Sequence, residues 1–304
     1  MVRPFQGRKT RSNHGPLATD NRQLTTDQSP TMTTPKTDKE LAFLHDLFVA
    51  TDWGERFAQL IDEHVKLPKQ GLALYVGSGT GGHAIALQER GGALKFLGVD
   101  ESPDYLELAQ AKATAVKDAA EFRHGKVDQL DFEDDQFDLV IGDGSMVALP
   151  RIPLMLAEMA RVAKPGAMVA ISLPTAGSFG EFFSLYWELL HSCNLQEHES
   201  YVEGLITELL TTSELEEIAE HAGLEEVSAW SRIEEFNFDS GERFVNSPLI
   251  SDFLMKRWLE FIPEESRECI RQAIPRIVNE DRHDAEFTLS VKATLVAGRK
   301  GHSH

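Results

Sequence analysis

Apolar residues recur every three or four positions through KELAFLHDLFVATDWGERFAQLIDEHV, residues 39–65, a spacing that predicts an amphipathic helix or a pair of helices. The pattern then switches to short, nearly unbroken apolar runs separated by helical segments. LALYVG (72–77) reads as a buried strand and HAIALQERG (83–91) as a helix with a glycine stop. ALKFLGVD (93–100) is a second strand, and SPDYLELAQAKATAV (102–116) a helix with Ser102 as N-cap and Pro103 in the favoured first position. AEFRHG, FDLVIGDG and AMVAISLP supply three more strands, with the helix IPLMLAEMARVA ahead of the last and a KPG turn leading into it. Strand and helix alternate throughout, as in a parallel sheet covered on both faces with ligands at the carboxyl ends of its strands.

Beyond Pro174 the alternation breaks. SFGEFFSLYWELLHSC is helical with an aromatic face, and TSELEEIAEHAGL is a helix with a capping box expected at Ser213 and Glu216 and a stop at Gly223. EEVSAWSRIEEFNF alternates like a strand; PLISDFLMKRWLEFI and ESRECIRQAIPRIV return to helix, and FTLSVKATLVAG closes as a strand. The expected division is a disordered tail at 1–38, a core with its N-terminal helices at 39–177, helical inserts at 178–211 and 239–283, a core helix and strand at 212–238, and a last strand and tail at 284–304. The tail is rich in Thr, Ser, Asn, Gln and Pro without apolar period, and Met32 is an alternative start.

Composition narrows the class. An apolar share of 41% and an aromatic share of 8% suit a globular protein, and no apolar run reaches the roughly 18 residues of a membrane span, so a cytoplasmic protein with no membrane partner is expected. The net charge is -19 although residues 1–39 hold seven Lys or Arg against three Asp, so the body is strongly acidic and nucleic acid is not an expected partner. Cys193 and Cys269 are far apart and form no C-x-x-C pair, so neither a disulfide framework nor a thiolate metal site is expected, and a reducing compartment fits. No metal pattern is met by His191, Cys193, Glu197 and His198 either.

The candidate chemistry lies in LYVGSGTGGHAIAL. Gly77, Gly79 and Gly82 fit G-x-G-x-x-G, while Gly77, Gly79 and Gly81 fit G-x-G-x-G. Either way, a tight turn without side chains offers bare amides and a helix N-terminus to an anionic group, and Asp100, about 20 residues on, suits a pair of ribose hydroxyls. A dinucleotide and S-adenosylmethionine both carry that ribose, so the turn and the acid do not choose between them. A short-chain dehydrogenase would need Tyr-x-x-x-Lys, and none of Tyr105, Tyr186 or Tyr201 has a lysine four residues later.

LALYVGSGTGG, FLGVDESPDYLELAQ, VDQLDFEDDQFDLVIGDG and ARVAKPGAMVAISLP, in this order over residues 71–174, together resemble the class I S-adenosylmethionine-dependent methyltransferases. The resemblance implies a Rossmann-like, doubly wound seven-stranded sheet with an antiparallel last strand and helical lid insertions. It implies S-adenosylmethionine held by Gly77, Ser78, Gly79, Thr80, Gly81, Asp100, Glu101, Val127, Asp128, Gly142 and Asp143. The placement of the inserts is loosely similar to that in malonyl-carrier-protein and ubiquinone-type methyltransferases, a resemblance of architecture only. The expected reaction is methylation of oxygen or carbon on a small molecule or a carrier-bound acyl group. Two positions depart from the family. Tyr75 stands where an acid usually meets the methionine amino group, with Asp143 as candidate replacement; Lys126 stands where an acid often meets the adenine amino group, with Asp128 two positions on.

The sulfonium activates its own methyl group, so no nucleophilic residue is required. Phe179, Phe182, Phe183, Tyr186 and Trp187 are candidates to wall a substrate cleft or to form core, and Tyr186, His191 and Glu181 are candidate general bases. Trp53 either closes over the cofactor or packs. Lys256, Arg257, Arg267, Arg271, Arg276 and Arg282 either dock an anionic partner such as an acidic carrier or pair with Glu264, Glu265 and Glu268. Two rival functions stay open at this stage: a non-catalytic binding protein of the same fold, and a nicotinamide-dependent reductase.

Overall fold

The structure, a computed structural model, describes residues 35–117, 120–282 and 286–302. The tail expected at 1–38 lies outside these up to residue 34, but its end is ordered: Thr37 caps a helix and closes a capping box with Glu40. Lys36–His304 forms one unit. Its helices are α1 (Asp38–Leu44), a π-helical segment (His45–Gly54) and α2 (Glu55–His64), which run on as one rod ahead of strand β1 (Gln70–Val76). Then follow α3 (Gly82–Gly91), β2 (Ala93–Asp100), α4 (Pro103–Ala115), β3 (Glu121–His124), β4 (Phe137–Asp143), α5 (Ile152–Val162) and β5 (Ala163–Pro174). The remainder comprises α6 (Gly180–Ser192), α7 (Glu199–Thr207), α8 (Thr212–His221), β6 (Leu224–Phe238), α9 (Gly241–Asn246), a second π-helical turn (Leu249–Leu254), α10 (Met255–Trp258), α11 (Glu264–Arg282) and β7 (Phe287–Lys300).

The seven strands lie in the order β3-β2-β1-β4-β5-β7-β6, and β7 runs antiparallel to both of its neighbours. Central strands are covered on both faces, which is why β1 and β4 read as apolar runs: Ala73, Leu74, Val76, Leu139, Val140 and Ile141 are fully buried. At the edge, β6 alternates between its two faces instead, the pattern that marks it in the sequence. On one face α5 buries Ile152, Met155, Leu156, Met159 and Ala160, the helical repeat of its sequence. Its close approach to β4 explains Gly142, where a Cβ would sit 2.8 Å from the Met159 sulfur. Gly142 is therefore a packing glycine, and it does not border the cleft described below.

Two local expectations are corrected. The capping box of α8 is formed by Thr211 and Glu214, two residues ahead of Ser213 and Glu216; both pairs fit the motif, and the first meets the true helix start. Cys193 and Cys269 are joined in a disulfide that ties the end of α6 to α11, so cysteine usage gives no argument for a reducing compartment. The helical inserts pack on each other, with Phe182 stacked on Trp258 at 4.3 Å between ring centroids and the Tyr186 hydroxyl donating to the Trp258 carbonyl at 2.5 Å, and Phe253 of the second insert borders the cleft described below. Among the described residues no helix is long and apolar enough to cross a membrane.

Candidate active site

The turn after β1 is closed by backbone bonds: the Gly77 and Ser78 amides both donate to the Val99 carbonyl, at 2.9 and 3.0 Å, and the Gly81 amide donates to the Ser78 carbonyl at 2.9 Å. Gly77 has φ of +72° and a Cβ there would lie 2.6 Å from the Asp143 carbonyl oxygen. Gly81 has φ of +79°, and its Cβ would lie 2.6 Å from the Phe122 ring and 2.8 Å from the Ala109 methyl. A Cβ on Gly82 would meet nothing within 4 Å. The third glycine the turn requires is thus Gly81, and the G-x-G-x-G fingerprint is the one the backbone obeys.

This turn forms one border of a cleft of about 840 Å³, open to ligand. Asp100, at the end of β2, faces it. One carboxylate oxygen accepts from the Gly79 amide at 2.8 Å and the other from the Ser102 amide at 2.9 Å, which aims the group along the turn. Burial pushes the Asp100 carboxyl above the usual range, against the pull of those two amides. Glu101 follows on the same rim. Its Oε1 accepts from the Val127 amide at 3.1 Å, and both its oxygens accept from the Arg151 guanidinium, which holds its carboxyl below the ordinary range. Arg151 also grips Asp128 through Nε and Nη2, at 2.7 and 2.8 Å, and lowers its carboxyl likewise.

At the other end Tyr75 and Asp143 form the floor. Burial pushes the Asp143 carboxyl up, while the Ser145 amide donates to it at 2.8 Å. Tyr75 Oη lies 3.0 Å from His83 Nδ1, and His83 Nε2 lies 2.9 Å from Asp62, which Arg90 also contacts. A carboxylate partner fixes the tautomer: Nε2 carries the proton toward Asp62, so Nδ1 accepts from the Tyr75 hydroxyl. Burial, with the charges of Asp143 and Asp62 beside it, raises the Tyr75 hydroxyl well above its ordinary value, so it stays a phenol. Its free oxygen lone pairs and the Asp143 carboxylate then offer the cleft acceptors, the polarity that suits a cationic group.

The N-terminal rod supplies the facing wall. Asp46 accepts from Thr80 at 2.5 Å and from Lys112, pinning the π-helical segment to the glycine turn and to α4. His45 lies between Tyr105 and Phe253, with ring centroids 4.5 and 5.6 Å away, and its Nδ1 is buried without a hydrogen-bond partner. Burial draws its imidazole down to about 4, so it is neutral near pH 7. Trp53, 1% exposed, packs in the core, stacked on Phe179, and borders the cleft with its indole N–H donating to Ser145 Oγ at 3.0 Å. Two π-helical stretches meeting beside one cleft fit the general association of such turns with functional sites.

Of the residues picked from the sequence, Gly77, Ser78, Gly79, Thr80, Gly81, Asp100, Glu101, Val127 and Asp143 line this single cleft. Gly142 and Asp128 do not: the first is packed against Met159, and both oxygens of the second are taken by Arg151. Tyr186 is fully buried against Trp258, and His191 is an outward residue paired with Glu199 at 3.0 Å, so neither reaches the cleft to act as a base. Glu181 accepts from the Ser290 amide at 3.0 Å. In the basic group, Arg267 donates to the Ile262 and Glu260 carbonyls, Arg276 pairs with Glu280 at 3.3 Å, and Arg257 lies 3.9 Å from Glu208. Cleft residues not found from the sequence include His45, Asp46, Asp62, His83, Tyr105, Lys112, Arg151 and Phe253. Of these only His83, one residue into the helix after the glycines, carried a positional signal.

Residues 73–166 match the model of a methyltransferase domain. A demethylmenaquinone methyltransferase of Bacillus licheniformis is 31% identical over 186 residues, which are 58% of this chain and 78% of that enzyme. A Staphylococcus aureus protein of the same name is 36% identical over 122 residues, 39% of this chain and 50% of the relative, so the chain spans about half the length of that one. Among solved structures, the YcgJ protein of Bacillus subtilis has a TM-score of 0.53 at 16% identity, covering 82% of this chain and all of the other. A Haemonchus contortus phosphoethanolamine N-methyltransferase, solved with S-adenosylhomocysteine, has a TM-score of 0.52 at 18% identity over 88% of this chain and 59% of its own. With the seven-stranded sheet and the glycine turn in place, the chain belongs to the class I S-adenosylmethionine-dependent methyltransferases, and S-adenosylmethionine is its cofactor.

Proposed function

We propose that the protein transfers the cofactor's methyl group to an oxygen or carbon atom of a small, largely apolar molecule. The observation that carries this reading is the continuity of the cleft: past the glycine turn and Asp100 it runs between Val49, Ala50, Trp53, Met146, Val147 and Phe253. At about 840 Å³ it stands toward the upper end of the ~300–1,000 Å³ usual for ligand pockets, consistent with a cofactor and a second small molecule side by side. The relatives named for demethylmenaquinone support an apolar acceptor over a carrier-bound acyl group.

When bound, S-adenosylmethionine supplies a methyl carbon already activated by a sulfonium. The chain's own residues then have three tasks. Asp100 would hold the ribose hydroxyls, and the Val127 amide lies where a base edge can be met. The N-terminus of α3 suits the methionine carboxylate, while Asp143 and the Tyr75 oxygen suit its ammonium. Trp53, Met146, Val147 and Phe253 exclude water and align the acceptor behind the methyl carbon. Removing the ribose contact by Asp100→Ala is expected to weaken cofactor binding by about 1–3 kcal/mol. The test of the acceptor is transfer of a radiolabelled methyl group from S-adenosylmethionine to a short-chain demethylmenaquinol, with a malonyl-carrier thioester in parallel. Label in the quinol supports the reading; label only in the thioester, or in neither while the cofactor binds, overturns it.

A further inference from the structure

We infer that Glu101, held in place by Arg151, is the residue that reads the adenine base of the cofactor. This rests on S-adenosylmethionine occupying the cleft. The family's usual reader, an acid at the position of Lys126, is absent; Lys126 is exposed, and neither it nor Asp128 borders the cleft. Glu101 alone among these carboxylates lines the cleft beside Val127.

The hydrogen-bond polarity supports the assignment. The Val127 N–H and Glu101 Oε1 are 3.1 Å apart, which sets a donor and an acceptor side by side on the rim. Adenine presents the complementary pair on one edge, the N1 acceptor and the 6-amino donor, whereas hypoxanthine presents an N1–H donor and a 6-oxo acceptor, the reverse at both positions. The exchange on binding balances: the Val127 N–H passes from Glu101 to N1, and the freed lone pair of Oε1 takes the 6-amino hydrogen. No polar group is left unmatched, because Arg151 keeps its fork on the carboxylate, with Nη1 to Oε2 at 3.1 Å. The same fork keeps Glu101 ionised and acceptor-only. Arg151 acts through Glu101 and is a positioning residue.

The experiment is a calorimetric comparison of S-adenosylhomocysteine with S-inosylhomocysteine on the full-length protein and on Glu101→Gln, Glu101→Asp, Asp128→Asn and Lys126→Ala, with folding checked by circular dichroism. The wild type is expected to prefer the adenine ligand by about 5- to 150-fold. Glu101→Gln, whose amide can turn to present either polarity, is expected to shrink the preference to the part that the Val127 N–H alone sustains. Glu101→Asp, which keeps an acceptor-only group, and Lys126→Ala are expected to keep the preference. A preference unchanged in Glu101→Gln, or abolished instead by Asp128→Asn or Lys126→Ala, overturns the assignment. Failure of the wild type to bind S-adenosylhomocysteine at all would fall on the cofactor reading instead.

Discussion

Two adjacent glycines at the mouth of α3 are expected to respond in opposite ways to the same substitution. Gly81→Ala forces an L-residue to hold φ of +79°, which costs about 1–2 kcal/mol, and drives a methyl carbon to 2.6 Å from the Phe122 ring and 2.8 Å from Ala109. Ala109 is fully buried on α4 and cannot swing aside, so relief must come from the sheet or the helix, an overpacking cost of about 1–3 kcal/mol. The sum, about 2–5 kcal/mol, is a large part of the ~5–15 kcal/mol that holds a typical domain together. Gly82→Ala puts its methyl into open space at the first position of α3, where alanine is the better helix former, and is expected to be neutral or stabilising by up to about 1 kcal/mol. Urea unfolding of both variants under non-reducing conditions reads the difference directly. A Gly81→Ala loss below about 0.5 kcal/mol, or equal losses at both positions, would refute the assignment of Gly81 as the third glycine of the turn.

Tyr186→Phe leaves the Trp258 carbonyl buried without its donor and is expected to cost about 1–3 kcal/mol in stability while methyl transfer is unchanged; lost turnover at unchanged stability would return Tyr186 to the role of base. Reduction of the Cys193–Cys269 disulfide, which closes a loop of 76 residues, is expected to lower stability by about 2–4 kcal/mol, and unfolding curves that superimpose with and without reductant would contradict this. His45 titrates lower in the folded chain than in the unfolded one, so the native state binds fewer protons and loses stability as pH falls, from about 6.5 down to about 4, with no effect above that window. Melting temperatures of the wild type and His45→Gln should therefore run parallel above this window, with the wild type losing ground to the variant as pH falls through it, and profiles that stay parallel through the window would show that His45 is not held neutral by burial.

What was legible in the sequence was whatever local patterning decides. The doubly buried strands announce themselves as apolar runs, Ser102 and Pro103 mark the start of α4, and the glycine turn with Asp100 marks one border of the site. What was not legible depends on partners far away in the chain. Aromatic residues at helical spacing on α6 satisfy a cleft wall and a core equally well, and the decision falls to Trp258, 72 residues from Tyr186. The facing wall of the cleft likewise comes from segments 216 residues apart, joined at Lys36 and Asp252 at 2.5 Å. Asp128 shows the same limit at short range: its spacing suits the adenine site, but Arg151, on the far side of β4, claims it first. The disulfide joins cysteines with no motif between them, which composition alone cannot pair.

The most direct test of the site is a crystal structure of the protein grown with S-adenosylhomocysteine. The account predicts density for the ligand along the Gly77–Gly81 turn, with its ribose on Asp100, its base at Val127 and its amino-acid end between Tyr75 and Asp143. Ligand density elsewhere, or the same cleft filled by His45 and its neighbours with no ligand at saturating concentration, would contradict it.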